Sequence, residues 1–380
     1  MTLFSFARLA APLFFLSSLA AAALPPVPAP VLEAKAWLLV DVQSGQALAA
    51  KDADARLEPA SLTKLMTAYL SLQALKEGRL RLDQPLPVSA KAWRAEGSRM
   101  FLEVGKSAKV EDLLKGMIVQ SGNDACIVLA EGIAGSEEAF VKLMNEQARR
   151  LGMTASQFAN ATGLPMAGHY STARDLARLT AALIRDFPHD YAAYYSLMEF
   201  TYSGISQPNR NRLLWLDPHV DGVKTGHTDS AGYCLIASAL RDKRRLVSVV
   251  LGAKDDLARA RESQKLLNHG FQHFETVKLY EANRPVTELR LYKGSSSKLD
   301  AGFPYDFHVT VPRGAAAQLQ AQIITQQPML APVSRGQKVG VLRLSLAGKH
   351  YADYPLMALK TISLAGMIGR GWDSLMLLFH

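Results

Sequence analysis

The pattern of apolar and polar residues divides the chain into a helical middle part with strands on both sides of it. Residues 36–49 are typical of a β-hairpin, because two apolar runs flank a Gln-Ser-Gly-Gln turn. Residues 235–240 and 246–252 are joined by a charged turn and predict a second hairpin. Strands at both ends of this region predict one sheet assembled from its two termini. Apolar residues at helical spacing predict helices over residues 62–76, 110–118, 124–133, 136–151, 173–186 and 256–271.

After about residue 276 the pattern changes to short segments in which apolar and polar residues alternate. Such alternation is typical of half-buried strands, and Gly- or Pro-containing turns separate the segments. We therefore expect a first domain over residues 24–275 and a small, separate all-β domain over residues 276–365. The predicted strands of the second domain are residues 286–291, 307–311, 319–325 and 339–346.

The N-terminus has the organisation of a secretion signal. Arg8 supplies the positive charge, residues 9–19 are apolar, and residues 20–23 are small enough for signal peptidase. The apolar part is short for a bilayer span and contains Pro12, which favours a cleaved signal peptide over residues 1–23 rather than a retained anchor. No later stretch is apolar for long enough to cross a membrane. The sequence therefore predicts an exported protein.

Residues 366–380 form a C-terminal segment with an amphipathic pattern. A short amphipathic helix at the end of an exported protein can lie in a membrane interface, which predicts peripheral attachment through this segment. A helix packed back on its own domain is the alternative that the sequence leaves open. The apolar residues that would share one helical face are Ile368, Trp372, Leu375 and Phe379.

Composition narrows the classes of partner. The net charge of +9 and the pI near 9.4 suit anionic envelope surfaces, whereas dispersed Lys and Arg residues without a recognition motif argue against nucleic acid. Cys126 and Cys234 lie in apolar runs, which favours buried free thiols, and a disulfide in an oxidising compartment stays open. The nine histidines show no metal-ligand spacing, so neither a metal nor a cofactor is expected.

Three short motifs in a fixed order carry the candidate chemistry. A helix is predicted to begin near Ser61, which puts Lys64 one turn later on the same face, beside the Ser61 hydroxyl. The start of that helix also offers free N–H groups to a developing oxyanion. The three motifs are Ser61-x-x-Lys64, Ser121-x-Asn123 and Lys224-Thr225-Gly226. Motifs of these types, in this order, are characteristic of the site of penicillin-reactive serine acyl enzymes.

The ordinary pKa of lysine limits its use as a proton acceptor. Lys64 can activate Ser61 near neutral pH only if its amine is neutral in a fraction of the molecules. Burial beside a second cation, here Lys224, would lower the pKa of Lys64 in this way.

The spacing of the first motif occurs a second time, at Ser295 and Lys298. This copy follows Gly294 in a polar stretch, where a solvated loop is the ordinary structure. We therefore predict no catalytic role for it.

The residues around the three motifs resemble those of the D-alanyl-D-alanine carboxypeptidases, the low-molecular-mass penicillin-binding proteins of the bacterial envelope. The resemblance extends from about residue 32 to the C-terminus. It implies an α+β fold: a penicillin-binding/β-lactamase-like serine acyl-transferase domain, an antiparallel sheet with helices, followed by a small all-β domain and a C-terminal amphipathic helix. The matching segments are residues 58–67, 120–126, 209–211 and 220–233.

The resemblance also implies a function and a location. The enzyme would remove the terminal D-Ala from peptidoglycan pentapeptides and so control cross-linking, with β-lactam antibiotics as covalent inhibitors. It would work in the periplasm, attached peripherally to the outer face of the inner membrane.

The resemblance implies a role for each matching residue. Ser61 would be the nucleophile, Lys64 its proton acceptor, and Ser121 with Lys224 the proton path to the departing D-Ala. Asn123 would bind the substrate amide and help to orient Lys64. Thr225 and Arg259 would hold the terminal carboxylate, while the backbone N–H groups of Ser61 and His227 would form the oxyanion hole. The implied substrate-binding residues are thus Asn123, Lys224, Thr225, Gly226, His227 and Arg259.

Two alternatives stay open at this point. A DD-endopeptidase or a β-lactamase would share the acylation chemistry, although no Glu-x-x-x-Asn-like deacylation motif occurs in the expected region. A non-catalytic β-lactam sensor or wall-binding scaffold is the second alternative, against which the complete set of motifs argues. The oligomeric state is not determined by the sequence.

Overall fold

The computed structural model describes residues 27–366 and Asp373. These residues form two compact units. The larger unit contains Val27–Ala282 and Tyr305–Gly314, and the smaller contains Asn283–Pro304 and the described residues from 315 onward.

The predicted helices and strands are present in the predicted order, and the structure adds short helices and further strands between them. The helices are α1 (Lys64–Lys76), α2 (Ala90–Trp93), α3 (Val110–Val119), α4 (Asn123–Ala134), α5 (Glu137–Arg150), α6 (Ala173–Asp186), α7 (Pro188–Tyr194), α8 (Leu213–Leu216) and α9 (Asp256–His273). The strands are β1 (Ala36–Asp41), β2 (Ala47–Lys51), β3 (Pro85–Pro87), β4 (Ser107–Lys109), β5 (Glu199–Tyr202), β6 (Ile205–Pro208), β7 (Val220–Thr228), β8 (Gly232–Arg241), β9 (Arg244–Ala253), β10 (Phe274–Tyr280), β11 (Pro285–Tyr292), β12 (Lys298–Gly302), β13 (Phe307–Pro312), β14 (Leu319–Ile324), β15 (Met329–Leu330), β16 (Lys338–Leu346) and β17 (Lys349–Ala358).

The larger unit is built on an antiparallel sheet with the strand order β2-β1-β9-β8-β7. The N-terminal hairpin joins the later strands through β1 and β9, where Leu38 lies opposite Val249. Alternation along β1 sends Leu38 to one face and Leu39 to the other, and each is fully buried in its own apolar cluster. Both faces of the sheet are therefore covered, and the predicted sheet from two termini is confirmed.

Helix α1 lies in the centre of the helical layer and packs against α3, α4, α5 and α6. Most of its residues are buried, on all faces rather than on one stripe. The apolar pattern predicts this helix from residue 62, but the chain first forms a 3-10 turn over Ala60–Thr63 and becomes α-helical at Lys64. A tight turn of this kind is common at a helix N-terminus.

Side chains at the N-termini of several helices cap free backbone N–H groups. Ser136 caps α5, Thr172 caps α6, and Asp255 accepts a hydrogen bond of 2.6 Å from the N–H of Ala258 at the start of α9. The cap at Asp255 fixes the first turn of α9, which carries Arg259.

Strand β13 is a predicted strand of the second domain, but its residues cluster with the larger unit. It pairs antiparallel with β10, with Val309 opposite Val277. Oγ1 of Thr310 also lies 2.6 Å from Oγ of Ser44 in the N-terminal hairpin. The contact of Thr310 with Ser44, and the pairing of Phe274 with Pro312 in the same two strands, join residues on both sides of the predicted boundary at 275/276.

The smaller unit contains a mainly antiparallel sheet with the strand order β14-β16-β17-β12-β11-β15. Only the short β11–β15 pair is parallel. Apolar residues from several of these strands are fully buried, among them Leu299, Ala301, Leu342, Leu344 and Leu356. The all-β character predicted for this part of the chain is confirmed.

The two ends of the chain carry predictions that the structure does not address. The predicted signal peptide, residues 1–23, lies outside the described residues, as does nearly all of the predicted tail, residues 366–380. Among the residues that are described, no helix has the length and apolar character needed to span a bilayer.

Candidate active site

Ser61 lies in the 3-10 turn that leads into α1, and glycines allow two backbone segments to pack against this turn. A Cβ at Gly226 of β7 would lie 3.2 Å from the backbone N of Ser61, and one at Gly163 only 1.9 Å from the carbonyl O of Ala60. Ala60 itself has φ +47°, a left-handed conformation that costs an L-residue roughly 1–2 kcal/mol. The nucleophile candidate is thus held in a special backbone geometry between two segments.

Lys64 is buried, and three oxygen atoms surround its Nζ. The distances are 2.9 Å to Oγ of Ser61, 2.6 Å to Oδ1 of Asn123 and 2.6 Å to the carbonyl O of Thr162. Burial, together with a smaller effect of the Arg210 cation, lowers the pKa of Lys64 from 10.5 to about 8. A useful fraction of neutral amine is therefore present near neutral pH.

The Ser121-x-Asn123 motif forms the turn between α3 and α4. Ser121 has φ +63°, and its Oγ is buried without a hydrogen-bond partner among the described residues. Asn123 is the first residue of α4 and faces Lys64 through Oδ1, while its Nδ2 donates to the carbonyl O of Glu96 at 2.6 Å. Both ends of this amide are held, so the orientation of Asn123 toward Lys64 is fixed.

Lys224, Thr225 and Gly226 lie on β7, the last strand in the order of its sheet. The Nζ of Lys224 donates to the carbonyl O of Thr225 at 3.1 Å. Burial, and then the charge of the neighbouring Lys64, lowers the pKa of Lys224 well below its usual range. The charge of Lys64 thus acts on Lys224, whereas burial and Arg210 lower the pKa of Lys64, a role that the sequence predicts for Lys224. The unpaired edge of a terminal strand can also bind the backbone of an extended peptide.

Arg259 is a buried cation that points from α9 toward β7. Its Nη1 donates to the carbonyl O of Gly226 at 3.2 Å, and its Nη2 bonds to Asp256. Asp256 also bonds to Arg212, so one carboxylate holds two guanidinium groups. The neighbouring Arg261, two residues further along α9, points instead to Glu262.

The predicted residues meet at a single cavity with a volume of about 1140 Å³. Lys64 and Lys224 are buried and do not line the cavity. Each donates a hydrogen bond to a residue that does, Lys64 to Ser61 and Lys224 to Thr225. The side chain of His227 is exposed, and its ring is tilted by 35° against that of Tyr233 with ring centroids 4.0 Å apart. The cavity lining includes Ser61, Ser121, Asn123, Thr225, Gly226, His227 and Arg259.

Two family profiles match the chain along most of its length. The profile of the D-alanyl-D-alanine carboxypeptidases matches residues 23–255, and that of the penicillin-binding protein 5 C-terminal domain matches residues 274–363. The chain belongs to the D-alanyl-D-alanine carboxypeptidase family. It is a serine-type peptidase of the penicillin-binding protein class, and the predicted enzyme class is confirmed.

Characterised members of the family are similar to this chain over almost its whole length. The D-alanyl-D-alanine carboxypeptidase DacC of Escherichia coli K12 is 45% identical over 376 residues, which cover 97% of this chain and 94% of that protein. The DacA protein of the same strain is 40% identical and covers 92% of this chain and 89% of its own length.

Solved structures of the family share the fold. Penicillin-binding protein 5 from Haemophilus influenzae superposes with a TM-score of 0.84 at 39% identity, covering 89% of this chain and 99% of its own. Penicillin-binding protein D2 from Listeria monocytogenes, solved in an ampicillin-bound form, covers 64% of this chain and 100% of its own, with a TM-score of 0.57 and 35% identity. The predicted fold class is confirmed for the two folded domains.

Several groups in the site are not named by the sequence motifs. Thr162 contributes only its carbonyl oxygen, so no side-chain type marks it in the sequence. Arg210 lines the cavity and lowers the pKa of both buried lysines. Asp256 holds Arg259, and Gly163 allows the close approach to Ala60. The matching segment 209–211 is a signal for Arg210, and for Gly163 a glycine in a polar loop is only a weak signal.

Proposed function

We propose that this carboxypeptidase removes the terminal D-Ala from peptidoglycan pentapeptides through an acyl-enzyme on Ser61. The observation that carries the proposal is the 2.9 Å contact between Nζ of Lys64 and Oγ of Ser61, with the lysine pKa lowered to about 8. A positioned hydroxyl next to a partly neutral amine is the arrangement that an activated serine requires.

In the acylation step, the neutral amine of Lys64 takes the hydroxyl proton of Ser61. The serine Oγ then attacks the carbonyl carbon of the penultimate D-Ala, and the carbonyl oxygen becomes an oxyanion. The backbone N–H groups of Ser61 and His227 are assigned to stabilise this charge. Ser61 is suited to the task because it precedes α1, where backbone N–H groups lack helical acceptors.

Collapse of the tetrahedral intermediate breaks the C–N bond, and the nitrogen of the departing D-Ala needs a proton. We assign Ser121 and Lys224 to the path along which the proton taken up by Lys64 reaches this nitrogen, so that Lys64 is neutral again for the next step. The buried Oγ of Ser121 has no competing partner among the described residues, and Lys224 has a strongly lowered pKa. A water molecule then hydrolyses the ester on Ser61, which releases the shortened peptide and restores the serine hydroxyl.

Recognition of the free C-terminus is assigned to Thr225 and Arg259. Both line the cavity, and the buried guanidinium of Arg259 lies against the carbonyl of Gly226 on β7. A buried cation binds a carboxylate more strongly than an exposed one, because less of the attraction is screened by water. Asn123 is assigned to the substrate amide, for which its Nδ2 retains a second N–H.

The experiment that tests this proposal is mass spectrometry of the intact protein after incubation with penicillin, followed by peptide mapping. We expect one adduct, on Ser61, and none in a Ser61→Ala variant. An adduct on Ser121 or Ser295, or no adduct, would contradict the assignment. Product analysis with a pentapeptide and with cross-linked dimers then separates D-Ala release from endopeptidase cleavage.

We also propose an export route and a membrane attachment for the enzyme. The signal-like residues 1–23 would direct it to the periplasm, and the amphipathic residues 366–380 would attach it peripherally to the outer face of the inner membrane. The net charge of +9 supports attraction to an anionic lipid surface.

A further inference from the structure

His169 is a buried histidine outside the sequence motifs that contacts the Ser-x-x-Lys turn. It lies in the connection between α5 and α6, and its side chain is almost fully buried. Its Nε2 is 2.7 Å from Oγ1 of Thr63, the residue before Lys64, and its Nδ1 accepts a hydrogen bond of 3.0 Å from the N–H of Ala159. The imidazole therefore connects the catalytic turn to the beginning of its own loop.

These two contacts determine which nitrogen carries the proton in the neutral ring. The N–H of Ala159 requires a lone pair on Nδ1, so the neutral imidazole carries its proton on Nε2 and donates it to Thr63. Burial lowers the pKa of His169 to about 4, which keeps the ring neutral near physiological pH. Both ring nitrogens are thus committed to fixed partners.

The loop that His169 closes supplies one of the three oxygens around Lys64. The carbonyl O of Thr162 accepts the hydrogen bond from Lys64, and the carbonyl O of Ala161 accepts one of 2.7 Å from Oγ1 of Thr67 on α1. The side chain of Asn160 accepts a hydrogen bond of 2.7 Å from the N–H of Gly163, which fixes the backbone around Thr162.

The position of this carbonyl determines where neutral Lys64 can accept a proton. A neutral amine has two N–H donors and one lone pair. If the N–H groups are donated to Oδ1 of Asn123 and to the carbonyl O of Thr162, the lone pair faces the third neighbour, Oγ of Ser61. Without the carbonyl, the amine would be free to rotate away from the serine.

We propose that His169 is a positioning residue that fixes the Thr162 carbonyl relative to the Ser-x-x-Lys turn and so directs Lys64 toward Ser61. The proposal rests on the role of proton acceptor proposed for Lys64. His169 acts through Thr63 and through the loop, and it touches none of the reacting atoms. Its loss should therefore slow the chemical step and have little effect on substrate binding.

The test compares His169→Leu, which can form neither hydrogen bond, with His169→Gln, whose Oε1 can accept from Ala159 and whose Nε2 can donate to Thr63. His269→Leu is the matched control, because His269 is also buried but lies in α9, and its Nε2 has no hydrogen-bond partner among the described residues. For each variant the measurements are kcat, KM, the rate of acylation by penicillin, the pH profile of kcat/KM and the thermal unfolding midpoint.

For His169→Leu we expect kcat and the acylation rate to fall by at least about tenfold while KM changes by less than about threefold, since misplacement of a reacting group lowers the rate of the chemical step. The acid limb of kcat/KM should move to higher pH, because water that enters the loosened loop raises the pKa of Lys64. His169→Gln should recover most of the rate, and His269→Leu should keep it.

Three results would overturn the proposal. They are an unchanged kcat and pH profile in His169→Leu, an equal loss of kcat in His169→Gln, or a loss of kcat that is accounted for by the fraction of protein that is unfolded. The acylation rate of a Lys64→Ala variant is measured in the same series and tests the role of Lys64 separately. Failure of that role is thereby distinguishable from failure of the positioning role.

Discussion

The chain contains the spacing Ser-x-x-Lys twice, and the two copies have opposite properties. Lys64 is buried among three oxygen acceptors, and its pKa is lowered to about 8. Lys298, in the smaller unit, is exposed and forms an ion pair of 2.7 Å with Glu288, which raises its pKa above the usual value. Its companion Ser295 is exposed as well.

The difference shows that the spacing alone supplies none of the reactivity. Lys64 acquires its properties from groups that are far away in the sequence, the side chain of Asn123 and the carbonyl of Thr162. Burial of Lys64 at this position removes water from the ammonium, and desolvation disfavours its charged form. Lys298 keeps its water, so it stays charged whatever residue stands three positions before it.

The largest expected effect separates the two copies directly. Ser61→Ala and Lys64→Ala should each lower D-Ala release by about a thousandfold or more, as is typical for members of one catalytic unit. Ser295→Ala and Lys298→Ala should stay within about twofold of wild type, because neither residue lies in the cavity. Steady-state release of D-Ala from a pentapeptide checks all four. Near-full activity in Lys64→Ala would move the proton-acceptor role to another residue.

A second test extends the comparison to another buried cation, Arg259. Arg259→Gln should lower kcat/KM for a free-acid peptide by roughly tenfold to hundredfold, the ~1.5–3 kcal/mol of a charged hydrogen bond. The same peptide with an amidated C-terminus should lose much less. Lys265→Gln is the control, because Lys265 is a half-exposed cation on the same helix that pairs with Glu262. Equal losses on both peptides would mean that Arg259 only supports the fold.

A third test uses the pH dependence of activity to examine the Ser61-x-x-Lys64 copy alone. Lys64 must be neutral to accept a proton, so kcat/KM should fall about tenfold per pH unit as pH decreases below its pKa of about 8. Arg210→Gln should move this limb to higher pH, because removal of a nearby cation lets the pKa of Lys64 rise. If the acid limb of the kcat/KM profile stays in place in Arg210→Gln, or moves to lower pH, a group other than Lys64 titrates there.

The smallest kinetic effect is expected at the end of the chain. Deletion of residues 366–380 should leave peptide turnover within about twofold of wild type, while it releases the protein from the membrane fraction. Fractionation of cells that express the full-length or the truncated protein measures the second effect. If both proteins are equally soluble, or if truncation unfolds the smaller unit, this segment is a packed structural helix and not an anchor.

The sequence predicts the parts of the site that depend on side-chain identity. Ser61, Asn123 and Lys224 stand in motifs with long matching flanks, and in the structure Ser61 and Asn123 line one cavity while Lys224 is buried beside its lining residue Thr225. The apolar periodicity also predicts the sheet and the long helices, because each of these elements buries a regular set of side chains. The roles assigned to the individual residues remain predictions.

Other parts of the site could not be predicted, for identifiable physical reasons. Lys64 bonds to the backbone carbonyl of Thr162, and a backbone carbonyl leaves no side-chain signal in the sequence. The contact between Thr63 and His169 joins positions that are 106 residues apart in sequence, and a lone histidine carries no signal of such a partner. The 3-10 turn at Ala60 depends on tertiary packing against Gly163 and Gly226, which local propensity does not encode.

The two cysteines have a practical consequence for labelling experiments. Cys126 and Cys234 are both free and buried, and burial raises their pKa values to about 12 and about 11. Only the thiolate reacts with electrophiles, so both native thiols should be silent toward maleimides at neutral pH. The folded wild-type enzyme can thus serve as its own cysteine-free background. A Ser61→Cys variant would place the one accessible thiol of the described residues in the cavity, where its alkylation rate reports on the local electrostatics.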